Sequence, residues 1–260
     1  MTNAQTRWRE ALASWAIPDE ILAEAPEEPW GLPVSLFAAP ETPADTPSRR
    51  RALEALAGGG DVIDVGAGGG SASLSLLPAV RRIVAVDSSA AMVASFAEAA
   101  AVAGVAHQEI EGAWPDVAPE AGRADVVVCH HVFYNVPALT PFVRALTAAA
   151  RRRVVVEITA EHPRARTNPL WERFHGLERP ARPTADDALA VLRENGIEFE
   201  SERFVQPQRE QRMSEQERVA FVRRTLCLPA QRDAEIAEAM REPGFDAPRE
   251  LVTVWWDGTR

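Results

Sequence analysis

Lysine is absent from this sequence, cysteine is scarce, and long apolar runs are missing. All 28 basic residues are therefore arginines. Cys129 and Cys227 lie far apart without a CxxC spacing, which argues against a disulfide framework or a zinc site and fits a reducing cytoplasm. No apolar run reaches the roughly 18 residues that a membrane span needs, and the polar start has no signal-peptide core. We therefore expect a cytoplasmic protein without a membrane partner.

Charge of one sign dominates the chain. Its 260 residues carry a formal net charge of -10, with 46% hydrophobic and 25% charged residues. This composition is that of a globular protein, and the length suits one sizeable α/β domain with an accessory element. An acidic surface repels phosphate backbones, so we do not expect nucleic acid as a partner.

The first 47 residues differ in pattern from the rest. Residues 4–25 have helical spacing of apolar side chains with a break at Pro18. Six prolines between residues 26 and 47 exclude a long helix there. We therefore divide the chain into an N-terminal helical, proline-rich cap or lid, residues 1–47, and a second domain, residues 48–260.

Four aromatic residues give the N-terminal segment its character: Trp8, Trp15, Trp30 and Phe37. Large aromatic side chains exclude water and pack on organic ligands, which favours a lid over a substrate pocket. The alternative is a pair of helices that covers the sheet, as amphipathic helices usually do.

After residue 48, strand patterns and helix patterns alternate. Alternation of this kind indicates an α/β doubly wound fold, a mostly parallel sheet with helices on both faces. Strand patterns are predicted over 61–65, 82–86, 125–129, 154–158 and 251–256, with a weaker third strand over 106–110 and a further strand over 199–205. Periodic patterns predict helices over 49–57, 71–77, 90–103, 138–150, 185–194, 214–224 and 232–241. Ser48, Thr184 and Ser214 stand at predicted N-caps.

The most informative stretch runs from Asp61 to Ser73, where an apolar strand leads into Gly66-Ala67-Gly68-Gly69-Gly70 and then into a helical pattern. Glycines let the backbone turn sharply and approach a ligand, and a helix N-terminus adds free amide donors. The next strand ends in Asp87, where a carboxylate can accept both hydroxyls of a ribose. The alternative for Asp87 is a cap of the following helix.

The glycine spacing departs from the dinucleotide fingerprint G-x-G-x-x-G, because serines stand at its third-glycine position. The segment instead resembles the D-x-G-x-G-x-G loop of class I S-adenosylmethionine (SAM)-dependent methyltransferases. The resemblance implies a Rossmann-like sheet of seven strands, the last one antiparallel between strands five and six. It also implies SAM as cofactor and S-adenosylhomocysteine as its product.

In that family the loop holds the methionine and ribose parts of SAM, and the acidic residue that ends strand two binds the ribose. Ala113 stands where many members carry an acidic residue for the adenine amino group. Trp114 either stacks on adenine or packs in the core. The resemblance places cofactor contacts at Asp64, Gly66, Ala67, Gly68, Gly70, Asp87, Ser88, Met92, Gly112, Ala113, Trp114, Cys129 and His130.

The turn after strand four supplies the catalytic candidates. His130 and His131 are placed to act as a base, and only one should enter the site because successive strand residues face opposite sides. The alternative is that one packs in the core while the other bonds a carbonyl. Tyr134 and Asn135 are candidates for hydrogen bonds to the acceptor, with capping of the next helix as the alternative for Asn135.

Two further candidates follow from position alone. Glu157 and His162 lie at the end of strand five, and ligands bind at the carboxyl ends of strands in such sheets. Residues 171–180 combine aromatic and charged side chains. We expect them to form a helix that docks on the sheet, with a pocket wall as the alternative.

The resemblance thus predicts an enzyme that transfers the sulfonium methyl of SAM to a small-molecule acceptor by in-line displacement. Two alternatives stay open: an NAD(P)-dependent Rossmann oxidoreductase and a non-catalytic SAM-binding protein. Nucleic-acid methylation is disfavoured further because residues 129–132 replace an Asn-Pro-Pro-Tyr-type motif. The sequence leaves open the acceptor atom, the use of a base and the oligomeric state, a homodimer included.

Overall fold

The computed structural model describes residues 3–29, 42–207 and 213–259. The strands are β1 (Gly60–Val65), β2 (Val80–Asp87), β3 (Ala106–Glu111), β4 (Ala124–His130), β5 (Ala150–Thr159), β6 (Glu200–Gln206) and β7 (Arg249–Asp257). The α-helices are α1 (Ala4–Ala13), α2 (Asp19–Ala23), α3 (Pro47–Ala55), α4 (Ala90–Ala103), α5 (Ala118–Ala121), α6 (Leu139–Ala149), α7 (Asn168–His175), α8 (Ala185–Glu194), α9 (Glu215–Thr225) and α10 (Asp233–Met240). In these ranges no helix is long and apolar enough to cross a membrane.

The seven strands form one sheet in the order β3-β2-β1-β4-β5-β7-β6. Strands β1 to β5 pair in parallel, whereas β7 is antiparallel to both β5 and β6. The chain winds outward in one direction from β1 and in the other from β4, so the switch point lies between these two strands. The predicted seven-stranded α/β sheet, with the last strand between strands five and six, is confirmed.

Apolar side chains cover both faces of the sheet. Ile63 and Val127 point into a core shared with α1, α6 and α8, whereas their neighbours Val62 and Val126 point into a second core with α3 and α4. Strand side chains alternate between faces, so a run without polar residues covers both. The layers leave the carboxyl ends of the parallel strands as the open edge.

The segment after β1 differs from its prediction. In place of a helix over 71–77, the chain forms only a short 3-10 turn, Leu74–Leu76. The Ser73 hydroxyl donates to the Asp64 carboxylate at 2.6 Å, a bond that competes with helical geometry. Pro78 then disfavours the helical conformation for the residue before it. The glycine loop therefore lacks the α-helix predicted behind it.

The cap of α3 is Thr46, not the predicted Ser48. The Thr46 side chain accepts a hydrogen bond from the Arg49 amide at 3.2 Å, and the helix begins at Pro47, a residue favoured in a first turn. Ser48 is fully buried, and its hydroxyl donates to the Glu157 carboxylate. A hydroxyl that the sequence assigned to a cap thus belongs to a buried polar cluster.

Helix α1 is fixed to the sheet. Trp8 is fully buried in the same core as the sheet residues, and its indole donates to the Val136 carbonyl at 2.8 Å. Gln5 makes two more hydrogen bonds to the backbone that follows Val136. For Trp8 these contacts favour packing of a helix over a movable lid. Trp30 and Phe37 of the lid hypothesis lie outside the described residues.

Trp8→Ala is expected to lower the free energy of unfolding by about 3–5 kcal/mol, because it removes a large buried ring and its hydrogen bond. Urea unfolding followed by circular dichroism measures the change. Val102→Ala on α4 is the control, since this side chain is 91% exposed and should matter by less than about 0.5 kcal/mol. Equal effects of the two variants would show that α1 is not part of the core.

Candidate functional site

Asp87 accepts hydrogen bonds from three loops at the carboxyl edge of the sheet. One carboxylate oxygen accepts from the Gly68 amide at 2.9 Å, and the other accepts from the Ser89 amide at 3.0 Å. Its backbone carbonyl accepts from the Gly112 amide at 2.9 Å. The cap of α4 is Ser89, whose side chain accepts from the Met92 amide. Asp87 therefore is not a simple helix cap.

The loop after β1 requires glycine for two physical reasons. Gly66 and Gly68 have φ values of 72° and 53°, which disfavour residues with a side chain. A Cβ on Gly66 would also collide with Val132, so the turn after β4 packs directly on this loop. Gly70 closes the turn by donating to the Ala67 carbonyl at 2.8 Å. The loop is tightly folded against its neighbour.

Asp64 is buried at the base of this loop. One carboxylate oxygen accepts from the Ser73 hydroxyl at 2.6 Å and from the Ser73 amide at 3.2 Å. Among the described residues no donor reaches the other oxygen, Oδ1. Burial raises the pKa of Asp64 to about 6, the Ser73 bonds act in the opposite direction, and the charge of Asp87 adds to the rise. The loop thus contains a buried acceptor that lacks a donor.

The other predicted cofactor residues divide by burial. Trp114 is buried in the core, and its indole donates to the Phe142 carbonyl at 3.3 Å, which corrects its placement on adenine in favour of the core alternative. Cys129 is fully buried as well, and burial raises the pKa of its thiol. Its side chain therefore packs rather than facing a ligand. The side chains at the same edge that are half-buried or exposed are those of Ser88, Met92 and Ala113.

His131 and Glu157 form a hydrogen-bonded pair across β4 and β5. His131 follows the end of β4 with a φ of 62°, an unusual value for this residue type. Its Nε2 lies 3.1 Å from Oε1 of Glu157, and its amide donates to the Glu157 carbonyl at 2.7 Å. Burial would raise the pKa of Glu157, but His130, His131 and the Ser48 hydroxyl outweigh it and hold the pKa well below the usual range. A buried, ionised carboxylate therefore orients His131.

A cavity of about 550 Å³ opens beside β4 and β5. The turn after β4 contributes His131, Tyr134 and Asn135 to its wall, whereas His130 is not among the described residues that line it. This arrangement agrees with the expectation that one histidine enters the pocket. Asn135 does not cap α6, because the N-cap there is Ala138 without a side-chain bond.

Tyr134 and His162 both belong to the wall of this cavity. The Tyr134 hydroxyl donates to the Thr159 carbonyl at 2.8 Å, and burial raises the pKa of the phenol above its ordinary value. His162 stacks on Trp15 with ring centroids 3.7 Å apart. Burial and two neighbouring arginines lower the pKa of His162 to about 3, so the ring is neutral. The catalytic role of Tyr134 stays a prediction, and its hydroxyl is already bonded within the fold.

Sequence reasoning missed several residues of the cavity wall. They come from α1, from the turn after β5 and from the start of β7, and no local pattern marks them. Helix α7, expected to dock on the sheet, packs instead in a third cluster with α9 and α10. The missed wall residues include Arg9, Leu12, Arg164, Arg166, Arg249 and Leu251.

Comparison with known families gives these observations a context. A family model described as a methyltransferase domain matches residues 62–153, from β1 into β5. Residues 62–153 are therefore similar to a methyltransferase domain. No curated protein sequence matches the chain.

Solved structures share the fold of this chain at low sequence identity. The YcgJ protein of Bacillus subtilis is 16% identical over 82% of this chain and 98% of its own, with a TM-score of 0.54. A proposed sarcosine dimethylglycine methyltransferase from Galdieria sulphuraria is 14% identical over 80% of this chain and 86% of its own, with a TM-score of 0.51. At these identities the likeness concerns the fold.

Asp64→Asn is expected to gain stability relative to wild type as the pH rises, in the absence of SAM. The folded protein binds the Asp64 proton more tightly than the unfolded chain, whose pKa is near 3.8, so stability is lost between about pH 4 and pH 6. The full loss is about 3 kcal/mol, and asparagine removes it while keeping an acceptor for Ser73. Urea unfolding at pH 4 and pH 7 measures the difference.

The surface variant Asp116→Asn serves as the control for this experiment, because it removes the same charge from an exposed position. Its stability should follow that of wild type at both pH values. A constant difference between Asp64→Asn and wild type at pH 4 and pH 7 would contradict the raised pKa.

Proposed function

We propose that this protein is a methyltransferase that transfers the methyl group of SAM to a small molecule held in the cavity beside β4 and β5. The observation that carries the proposal is the contact between Gly66 and Val132. Val132 follows His131, a residue of the cavity wall, and packs on the glycine loop. Loop and cavity are therefore neighbours, as a transfer between two bound molecules requires.

The residues of the loop fit SAM. Its methionine part carries an ammonium group, which would supply the donor that Oδ1 of Asp64 lacks. Each carboxylate oxygen of Asp87 accepts one backbone amide and retains a lone pair for a ribose hydroxyl. The side-chain-free positions Gly66 and Gly68 let the backbone approach the ligand. When bound, SAM supplies an electrophilic methyl group on a sulfonium sulfur.

His131 is the proposed base. Glu157 accepts the proton of Nε2, so a neutral imidazole carries its lone pair on Nδ1. When His131 takes a proton from a hydroxyl or amine of the acceptor, the ionised Glu157 stabilises the resulting imidazolium. Ser48 holds the second oxygen of Glu157 and thereby fixes the carboxylate.

The cavity has the size and lining of a small-molecule site. A volume of about 550 Å³ is within the usual range for such pockets, and Leu12, Trp15 and Leu251 supply apolar surface. We propose that the described part of the N-terminal segment, residues 3–29, forms a fixed wall of the acceptor pocket in front of the methyltransferase domain, residues 48–260. The acidic net charge supports a small molecule over nucleic acid, and the two unpaired cysteines support a cytoplasmic location.

Asp87→Ala is expected to lower SAM affinity at least about tenfold, because charge-assisted hydrogen bonds to the ribose and the anchor of the Gly68 amide are lost. Calorimetric titration with SAM measures the change, and circular dichroism checks the fold. Glu98→Ala on the exposed side of α4 is the charge-matched control. Unchanged affinity would remove Asp87 from the cofactor site.

His131→Asn is expected to lower kcat by about 10²–10⁴, the usual contribution of a general base, while SAM affinity stays within about twofold. Asparagine is chosen because it tolerates a positive φ. Methyl incorporation from labelled SAM into a metabolite extract measures turnover, and His107→Asn on β3 is the control. A wild-type protein that binds SAM but methylates nothing in the extract would instead be a non-catalytic SAM-binding protein.

A further inference from the structure

The cavity beside β4 and β5 concentrates positive charge in an acidic protein. The chain has a formal net charge of -10. Among the described residues that line the cavity are Arg9, Arg164, Arg166 and Arg249, and none of these lining residues is aspartate or glutamate. A cleft lined by charges of one sign focuses the field and attracts the opposite charge.

Arg164 contributes a half-buried guanidinium to this wall. The residue follows the neutral His162, whose Nδ1 accepts from the Arg164 amide at 3.3 Å. Burial and the nearby Arg179 lower the pKa of Arg164 to about 10, with Cys227 acting in the opposite direction. Burial and a neighbouring guanidinium both disfavour the protonated form of Arg164. An anionic group bound near Arg164 would favour its charged form.

The remaining wall is aromatic and apolar. Trp15 stacks on His162, and the Tyr134 ring lies edge-on to His162 at 5.1 Å. Leu12 and Leu251 extend this surface. Arginine forks recognise carboxylate and phosphate oxygens in pairs, whereas stacked rings pack against a flat or apolar body. The cavity therefore combines an anion-binding part with an apolar part.

We propose that the methyl acceptor is an organic anion, a carboxylate or phosphate on an apolar or aromatic body, held by the arginines of this cavity with its reacting group at His131. The assignment rests on the proposed function, because it concerns the same pocket. It goes beyond that function by naming the chemical class of acceptor, which neither the glycine loop nor the family match specifies.

Fractionated extract tests the proposal with the intact protein. A metabolite extract is passed over an anion-exchange resin, and labelled SAM is supplied with either the flow-through or the salt eluate. We expect methyl incorporation from the eluate at least about tenfold above that from the flow-through. Phosphatase treatment of the eluate separates the two sources, since loss of acceptor activity indicates a phosphate and persistence indicates a carboxylate.

The failures are distinguishable. Incorporation mainly from the flow-through would overturn the anionic acceptor while leaving the proposed methyl transfer intact. No incorporation from either fraction by a protein that binds SAM in calorimetry would overturn the proposed function and this assignment with it.

Arginine variants test the same assignment at the residue level. Arg9→Gln and Arg166→Gln are each expected to raise the apparent KM for the active eluate, in units of its dilution, at least about tenfold. The SAM dissociation constant should stay within about twofold, because neither residue touches the glycine loop. Arg82→Gln on β2 removes the same charge from an exposed site and should change neither value. Unchanged KM in both cavity variants, folded by thermal melting, would overturn the proposal.

Discussion

The buried carboxylate of Glu157 is the constraint on which the site depends. A charge in the interior is tolerated only when it is paired and hydrogen-bonded, and its partners here come from two other elements. Ser48 reaches it from the first turn of α3, and His131 reaches it from the turn after β4. Glu157 therefore fixes where α3 meets the sheet and how the chain leaves β4. The unusual φ of His131 follows from this arrangement, because the same residue bonds Glu157 through both its backbone and its ring.

The sequence was sufficient for the sheet and insufficient for its polar contacts. Most strands are local apolar runs, so their positions could be predicted within a few residues. Strands β3 and β6 are more polar and more exposed, and the place of β7 came from a family resemblance. The errors involve hydroxyl groups whose partners are distant. Ser48 was predicted as a helix cap, but its hydroxyl donates to Glu157. Ser73 was predicted in a helix, but its hydroxyl donates to Asp64. A sequence shows that a hydroxyl is present but not which acceptor the fold brings to it.

The cofactor residues and the wall of the cavity also differ in how far the sequence predicts them. Cofactor candidates such as Asp64 and Asp87 end strands, and the carboxyl ends of parallel strands meet at one edge, so their proximity could be expected. The direction of a side chain could not be predicted from the sequence. Trp114, for example, packs in the core, where its indole donates to the Phe142 carbonyl. The wall of the cavity was not predicted, because Arg9 and Arg249 lie at opposite ends of the chain and meet only in the folded protein.

The family match covers the predicted cofactor residues but little of the cavity wall. The match covers residues 62–153, which contain the glycine loop, Asp87 and His131. The arginines of the cavity lie outside that span on both sides. On α1, Trp8 is buried in the core while Leu12, one turn later, faces the cavity. Substitutions on α1 that alter the choice of acceptor must therefore preserve the packing of Trp8. The stability of the fold and the choice of acceptor are thus coupled through one helix.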